Sequence, residues 1–298
     1  MQHEPNRAFP RHSRQRPYGE PVFPLKDDNP TMRTAWVTIV LIAINVLVFV
    51  GPQGMNDPQR VEGDIALEWA AIPCEVVTGD GITAQEIELT FSGQDDTACD
   101  VDLTGSPAFP NKPERIAVIF SMFMHGGWMH LLGNVWFLWL FGNNVEDHLG
   151  RFRYLLFYLL GGVAATIAHI LVQTDSTIPV VGASGAVAAA MGAYAVWFPN
   201  APIRTFIVIV LWSVKAKWWL AFWLISQFFI GADSRVAWMA HIGGFVFGVL
   251  VGVLVRSSSA AKDRAFTAPY QGQDGPWDST GGVGAGRYPA PHRIIGNP

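Results

Sequence analysis

Charge is what this sequence has least of. Only 15% of its 298 residues are Asp, Glu, Lys or Arg, where a water-soluble domain carries about 25%. Half of the residues are apolar and mean hydropathy is positive, so the shortfall points to lipid as solvent. Cysteine is nearly as scarce. Cys74 and Cys99 are the only two, with no Cys-x-x-Cys pair and no Cys/His cluster, and the usual zinc arrangements are excluded. His-Glu-x-x-His, the mark of membrane metalloproteases, is missing, and so is the Gly-x-Gly-Asp of intramembrane aspartyl proteases. No metal and no cofactor is implied. There is no basic surplus either, since the net charge is −4, and nucleic acid is not an expected partner.

Long apolar runs fill the remainder. The first, Ala35 to Val50, follows a polar leader with Arg7, Arg11, Arg14, Arg16, Lys26 and Arg33. Without a small-x-small cleavage site it reads as an uncleaved anchor. Further spans are expected at Trp128–Val145, Phe152–Val172, Ala183–Phe198, Trp218–Ile230 and Val236–Val255. Another run, Ile203–Val214, reads as a re-entrant or interfacial piece, or as half of a kinked helix. The expectation is an all-α, polytopic membrane bundle of six transmembrane helices. Its parts are a disordered leader (1–33), a membrane domain (34–256) that includes a long polar loop (51–115), and a disordered tail (257–298) rich in Ser, Gly and Pro.

Of the 20 Lys and Arg residues, all but Arg60, Lys112, Arg115 and Arg235 fall in the leader, the tail, the Arg151/Arg153 turn or the Arg204–Lys217 connection. The positive-inside rule then makes both termini cytoplasmic, in a multi-pass protein of the plasma membrane. Cys74 and Cys99 lie in the acidic loop on the other face, an oxidising space where two cysteines most simply form a disulfide. Closing that loop is worth about 3 kcal/mol by chain entropy.

Polar groups inside spans are costly and mark function. They gather in three segments here. In His125-Gly126-Gly127-Trp128-Met129-His130-Leu131-Leu132-Gly133-Asn134, His130 and Asn134 lie four apart on one helix face, where two donors can clamp one oxygen or glue two helices. In Gly182-Ala183-Ser184-Gly185, Ser184 opens an apolar run, so it sits at a helix N-terminus among free N–H groups. In Ala240-His241-Ile242-Gly243-Gly244…Gly248, Gly244 and Gly248 form a small-residue face. Ala188 and Gly192 offer a face to match it, and the two would place His241 beside Ser184. His169, late in its span, reads as structural or interfacial. Glu146, Asp147 and His148 read as a cap and turn.

Together these three segments resemble the rhomboid family of intramembrane serine proteases, over roughly Phe120 to Leu254. The resemblance implies Ser184 as nucleophile, His241 as its base without an Asp, and an oxyanion hole of His130, Asn134 and the Ser184 N–H. His125, Gly182 and Gly185 match supporting positions. Two positions depart from the family pattern: Ala188 stands where many members carry an aromatic ring that stacks on the base, and Val236 replaces a small residue. The substrates implied are transmembrane proteins, cut within the lipid bilayer. A rhomboid-like pseudoprotease that binds or escorts clients is the alternative, although it would be expected to lack Ser184 or His241. A transporter would spread its polar groups across the bilayer's depth, and these do not.

Overall fold

In a computed structural model the described residues are 29–54, 64–99, 105–112, 114–207, 210–230 and 236–266. Most of the leader, most of the tail, Arg60 and Arg235 lie outside them.

Helix α1 (Trp36–Val50) has no local side-chain cap. Its free N–H groups are met from a distance by Glu146, which accepts from the Val37 and Thr38 amides at 3.0 and 2.8 Å and from the Thr38 hydroxyl at 2.8 Å. A carboxylate is the ligand that a positive helix end favours. The Glu146-Asp147-His148 stretch is therefore a cap, but for α1 rather than for its own turn.

The loop expected at 51–115 holds short helices, α2 (Asp64–Trp69), α3 (Pro73–Thr78) and α4 (Ala84–Phe91), followed by α5 (Glu114–Ser121). Thr83 and Glu86 close a reciprocal capping box on α4, the arrangement that Thr-x-x-Glu favours. The disulfide Cys74–Cys99 spans 25 residues. The disulfide is part of a small apolar cluster with Leu67, Ile72 and Ile82, and Lys112 is ion-paired with Glu75 in the interior. This insertion is a folded unit.

Next, α6 (Trp128–Phe137) passes through a π-turn (Leu138–Gly142) into α7 (Asn143–Leu149). Gly150, at φ +79, allows the chain to turn directly into α8 (Arg151–Ile170). Helix α9 (Ser184–Trp197) is the centre of the fold, with every residue from Gly185 to Tyr194 buried. Around it stand α8, the π-turn, α10 (Ala216–Gln227) and α11 (Trp238–Phe266). The core is aromatic and aliphatic, with Leu138, Phe141, Tyr154, Tyr158, Met191 and Tyr194 fully enclosed.

Three expectations change. The run Ile203–Val214 is not half of a kinked helix: it forms an antiparallel hairpin of β1 (Pro202–Ile207) and β2 (Val210–Lys215). Its many β-branched residues suit a strand better than a helix, and the fold is predominantly rather than wholly helical. Among the described residues only Arg151–Ile170 and Trp238–Val255 are long and apolar enough to cross a membrane by themselves, so a count of six is not established. Helix α11 also runs past Arg256 to Phe266, inside the segment expected to be a disordered tail. The outward faces of α1, α8, α10 and α11 carry exposed Leu47, Phe152, Leu160, Phe222, Leu250 and Leu254, a surface suited to lipid.

Candidate active site

Ser184 is the first residue of α9 and is half-buried. Opening a helix, it has N–H groups around it that no helical carbonyl can satisfy. The chain reaches it through Gly182, whose φ of +125 disfavours any side chain. Space demands glycine there as well. A Cβ on Gly182 would stand 2.7 Å from His130 Nε2 and 3.5 Å from Ser184 Oγ. The same distances show that the imidazole and the hydroxyl border one small volume.

His130, on α6, has a defined tautomer. The Gly126 amide donates to its Nδ1 at 3.3 Å, so in the neutral ring the proton resides on Nε2, the nitrogen that faces Gly182. Asn134, one turn on, is buried and donates from Nδ2 to the His130 carbonyl at 3.0 Å. That leaves its second amide hydrogen for another acceptor. His125 is buried and packs its ring against His130, centroids 5.2 Å apart. Gln53 holds the His125 main chain from both sides, at 2.9 and 3.0 Å.

His241 comes from α11. The helix is brought against α9 by backbone contact: a Cβ on Gly244 would overlap the Gly185 carbonyl oxygen, one on Gly248 that of Ala189, and one on Gly192 that of Phe245. The small-residue seam exists, and on α9 it is lined by Gly185, Ala189 and Gly192. Ala188, also expected to line it, is fully buried in the same apolar core as Ala189 and Phe245.

What holds His241 comes from α10, which the sequence reading passed over. Gln227, 5% exposed, places Oε1 2.6 Å from His241 Nδ1. Trp223, one turn earlier, sets its ring 5.9 Å from the imidazole at 40°. A glutamine inside the apolar run Trp218–Ile230 was the available signal, because a buried amide in a span requires a partner. His169, read as structural, is 7% exposed on α8 and has a buried Nδ1 without a partner among the described residues. It and His130 lie within electrostatic reach of His241.

The loop that leads into Ser184 is tied to the insertion. Val180 donates to the Ala71 carbonyl at 2.8 Å, Thr177 to that of Asp96 at 3.0 Å, and Cys74 to that of Ser176 at 3.0 Å. The Thr90 and Thr177 hydroxyls meet at 2.6 Å. Ser121 joins both parts: its carbonyl accepts from Gly182 at 2.9 Å and its hydroxyl from Ala71 at 2.7 Å.

The family model of the Rhomboid domain matches residues 112–258. Over 159 residues the chain is 30% identical to Rhomboid protein 1, mitochondrial, of Saccharomyces cerevisiae, a match covering 50% of this chain and 44% of that protein. It is 29% identical over 153 residues to Presenilin-associated rhomboid-like protein A, mitochondrial, of Danio rerio, covering 49% and 38%. It is 31% identical over 157 residues to Rhomboid-like protease 5 of Toxoplasma gondii, covering 48% and 16%. The matches span less than half the length of these three relatives. Two of the three are named mitochondrial, which points to a mitochondrial membrane and overturns the plasma-membrane placement with cytoplasmic termini.

Proposed function

From the premise that residues 112–258 are a rhomboid domain, we propose that this protein is an intramembrane serine protease acting on transmembrane protein substrates. The observation that carries the reading is the convergence at Gly182. Ser184 Oγ and His130 Nε2 border the space next to it, and on the α9–α11 seam the Ala240 carbonyl lies against Gly185, so the chain neighbours of His241 and Ser184 meet.

In this reading Ser184 Oγ attacks the scissile carbonyl carbon and passes its proton to His241 Nε2. The tetrahedral oxyanion is met by the His130 Nε2–H, the spare Asn134 Nδ2–H and the Ser184 backbone N–H. His241 then gives its proton to the leaving amine, and a water repeats the sequence to free the acyl group. In this proposal the chain crosses the bilayer six times, α1 ahead of the rhomboid domain and the α6–α7 unit, α8, α9, α10 and α11 within it. Helix α9, at 14 residues, is about 21 Å long against a hydrocarbon core of about 30 Å. A helix that short leaves room for its first residue to lie below the membrane surface, where a transmembrane segment can be reached.

The test is cleavage of a membrane-anchored reporter, with a span rich in Gly, Ala and Ser, by the full chain in lipid vesicles. Cleavage by the wild type that disappears in Ser184→Ala and in His241→Ala supports the proposal. Capture of the reporter without any cleavage would favour the client-binding alternative.

A further inference from the structure

The geometry points to Gln227 as the positioning residue of the site, an amide that fixes the tautomer of His241 in the place where soluble serine proteases use a carboxylate. The inference rests on the protease reading above and deepens it.

The direction of the Gln227 amide is set by its surroundings. Its Nε2 donates to the Trp223 carbonyl at 3.1 Å and meets Ser226 Oγ at 3.2 Å. The Trp223 carbonyl can only accept, so the nitrogen must face it and Oε1 must face His241. Oε1 in turn can only accept, so the 2.6 Å contact with Nδ1 requires a proton on Nδ1. The neutral ring then has its lone pair on Nε2, the form that can take a proton from serine. Burial makes this arrangement compulsory. At 5% exposure Gln227 has little water to satisfy it, and a buried amide oxygen without a donor is costly.

The rest of the setting agrees with this role. Among the described residues the hydrogen bond to His241 Nδ1 is made by the Gln227 amide rather than by a carboxylate, and the titratable groups that bear on the ring are His130 and His169. The ring of Trp223 packs tilted against the imidazole. One helix, α10, thus supplies both the ring contact and the hydrogen bond.

Two measurements on the full chain in detergent test the inference. The first is 15N NMR of histidine-labelled protein, in which His241 of the wild type should carry its proton on Nδ1 and lose that preference in Gln227→Ala. The second is the rate of Ser184 labelling by a fluorophosphonate across pH, a reaction in which the Oγ–P bond forms, fluoride leaves and His241 accepts the serine proton. Gln227→Ala should label about 10- to 100-fold more slowly, less than the full worth of a general base. Gln227→Glu places a carboxylate against Nδ1 and should move the midpoint of the pH profile upward by about one unit or more, since a nearby negative charge favours imidazolium. A residue that only fills space would slow labelling without moving that midpoint. An unchanged tautomer in Gln227→Ala, or an unmoved midpoint in Gln227→Glu, overturns the inference. Wild type that shows the tautomer but no Ser184-dependent labelling overturns the protease reading alone.

Discussion

The carbonyl oxygen of Gly185 occupies the space in which a side chain on Gly244 would begin. Backbone meets backbone there, so an added methyl cannot be accommodated by rotating a side chain. Gly244→Ala and Gly248→Ala should each cost about 1–3 kcal/mol, the usual penalty for overpacking. Gly244→Ala should also lose more Ser184 labelling, because it lies three residues from His241 rather than seven. Gly252 is the control, since its nearest neighbour is the Val196 side chain at 3.1 Å. Melting temperatures and probe labelling of the three variants check the order.

Asn134→Ala removes one of three donors proposed for the oxyanion. Turnover of a cleavable reporter should fall roughly 100- to 1,000-fold with KM little changed, because that bond is made fully only in the transition state. An equal rise in KM would assign Asn134 to substrate binding instead.

Glu146→Gln weakens the acceptor of three hydrogen bonds at the start of α1 without touching Ser184 or His241. Stability should drop by about 2 kcal/mol, the scale of hydrogen bonds to a charged group. Reporter turnover well below the melting temperature should stay at the wild-type value. The paired melting curve and rate measurement separate a cap from a site.

Cys74→Ser opens the 25-residue ring of the insertion. The loss should be about 3 kcal/mol, felt in the insertion first. Limited proteolysis at the exposed turns around Gly79 and Gly93 should quicken, and Ser184 labelling should slow. The slower labelling follows from Cys74 itself, whose amide donates to Ser176 in the loop before the serine.

Much of the site was legible because lipid makes polar residues conspicuous. Ser184, His130, Asn134 and His241 stood out as groups that an apolar run should not contain, and glycine spacing placed two of their helices in contact. The part of Ala189 in the seam was less legible: periodicity points to Ala188 and Gly192, and only the packing of Gly248 and Gly161 against Ala189 brings it out. Gln227 carried the same signal as the others but lay near the end of its run, where an amide can be taken for an interfacial residue. His169 read as structural or interfacial, since sequence gives no view of α11 beside it. The hairpin at Pro202–Lys215 was hidden by its apolarity, which helix and strand share; its β-branched content was the better guide. The insertion's short helices have no long period to read, and their positions depend on a disulfide and on bonds to residues some 80 to 110 positions away.

Those long-range bonds bear on how the molecule opens. The amides of Thr177, Val180 and Gly182 are protected by Asp96, Ala71 and Ser121, not by any carbonyl of α8 or α9. In hydrogen exchange they should belong to the cooperative unit of the insertion and exchange at its rate, while α9 a few residues later exchanges with the core. The boundary between two unfolding units would then fall within two or three residues of Ser184.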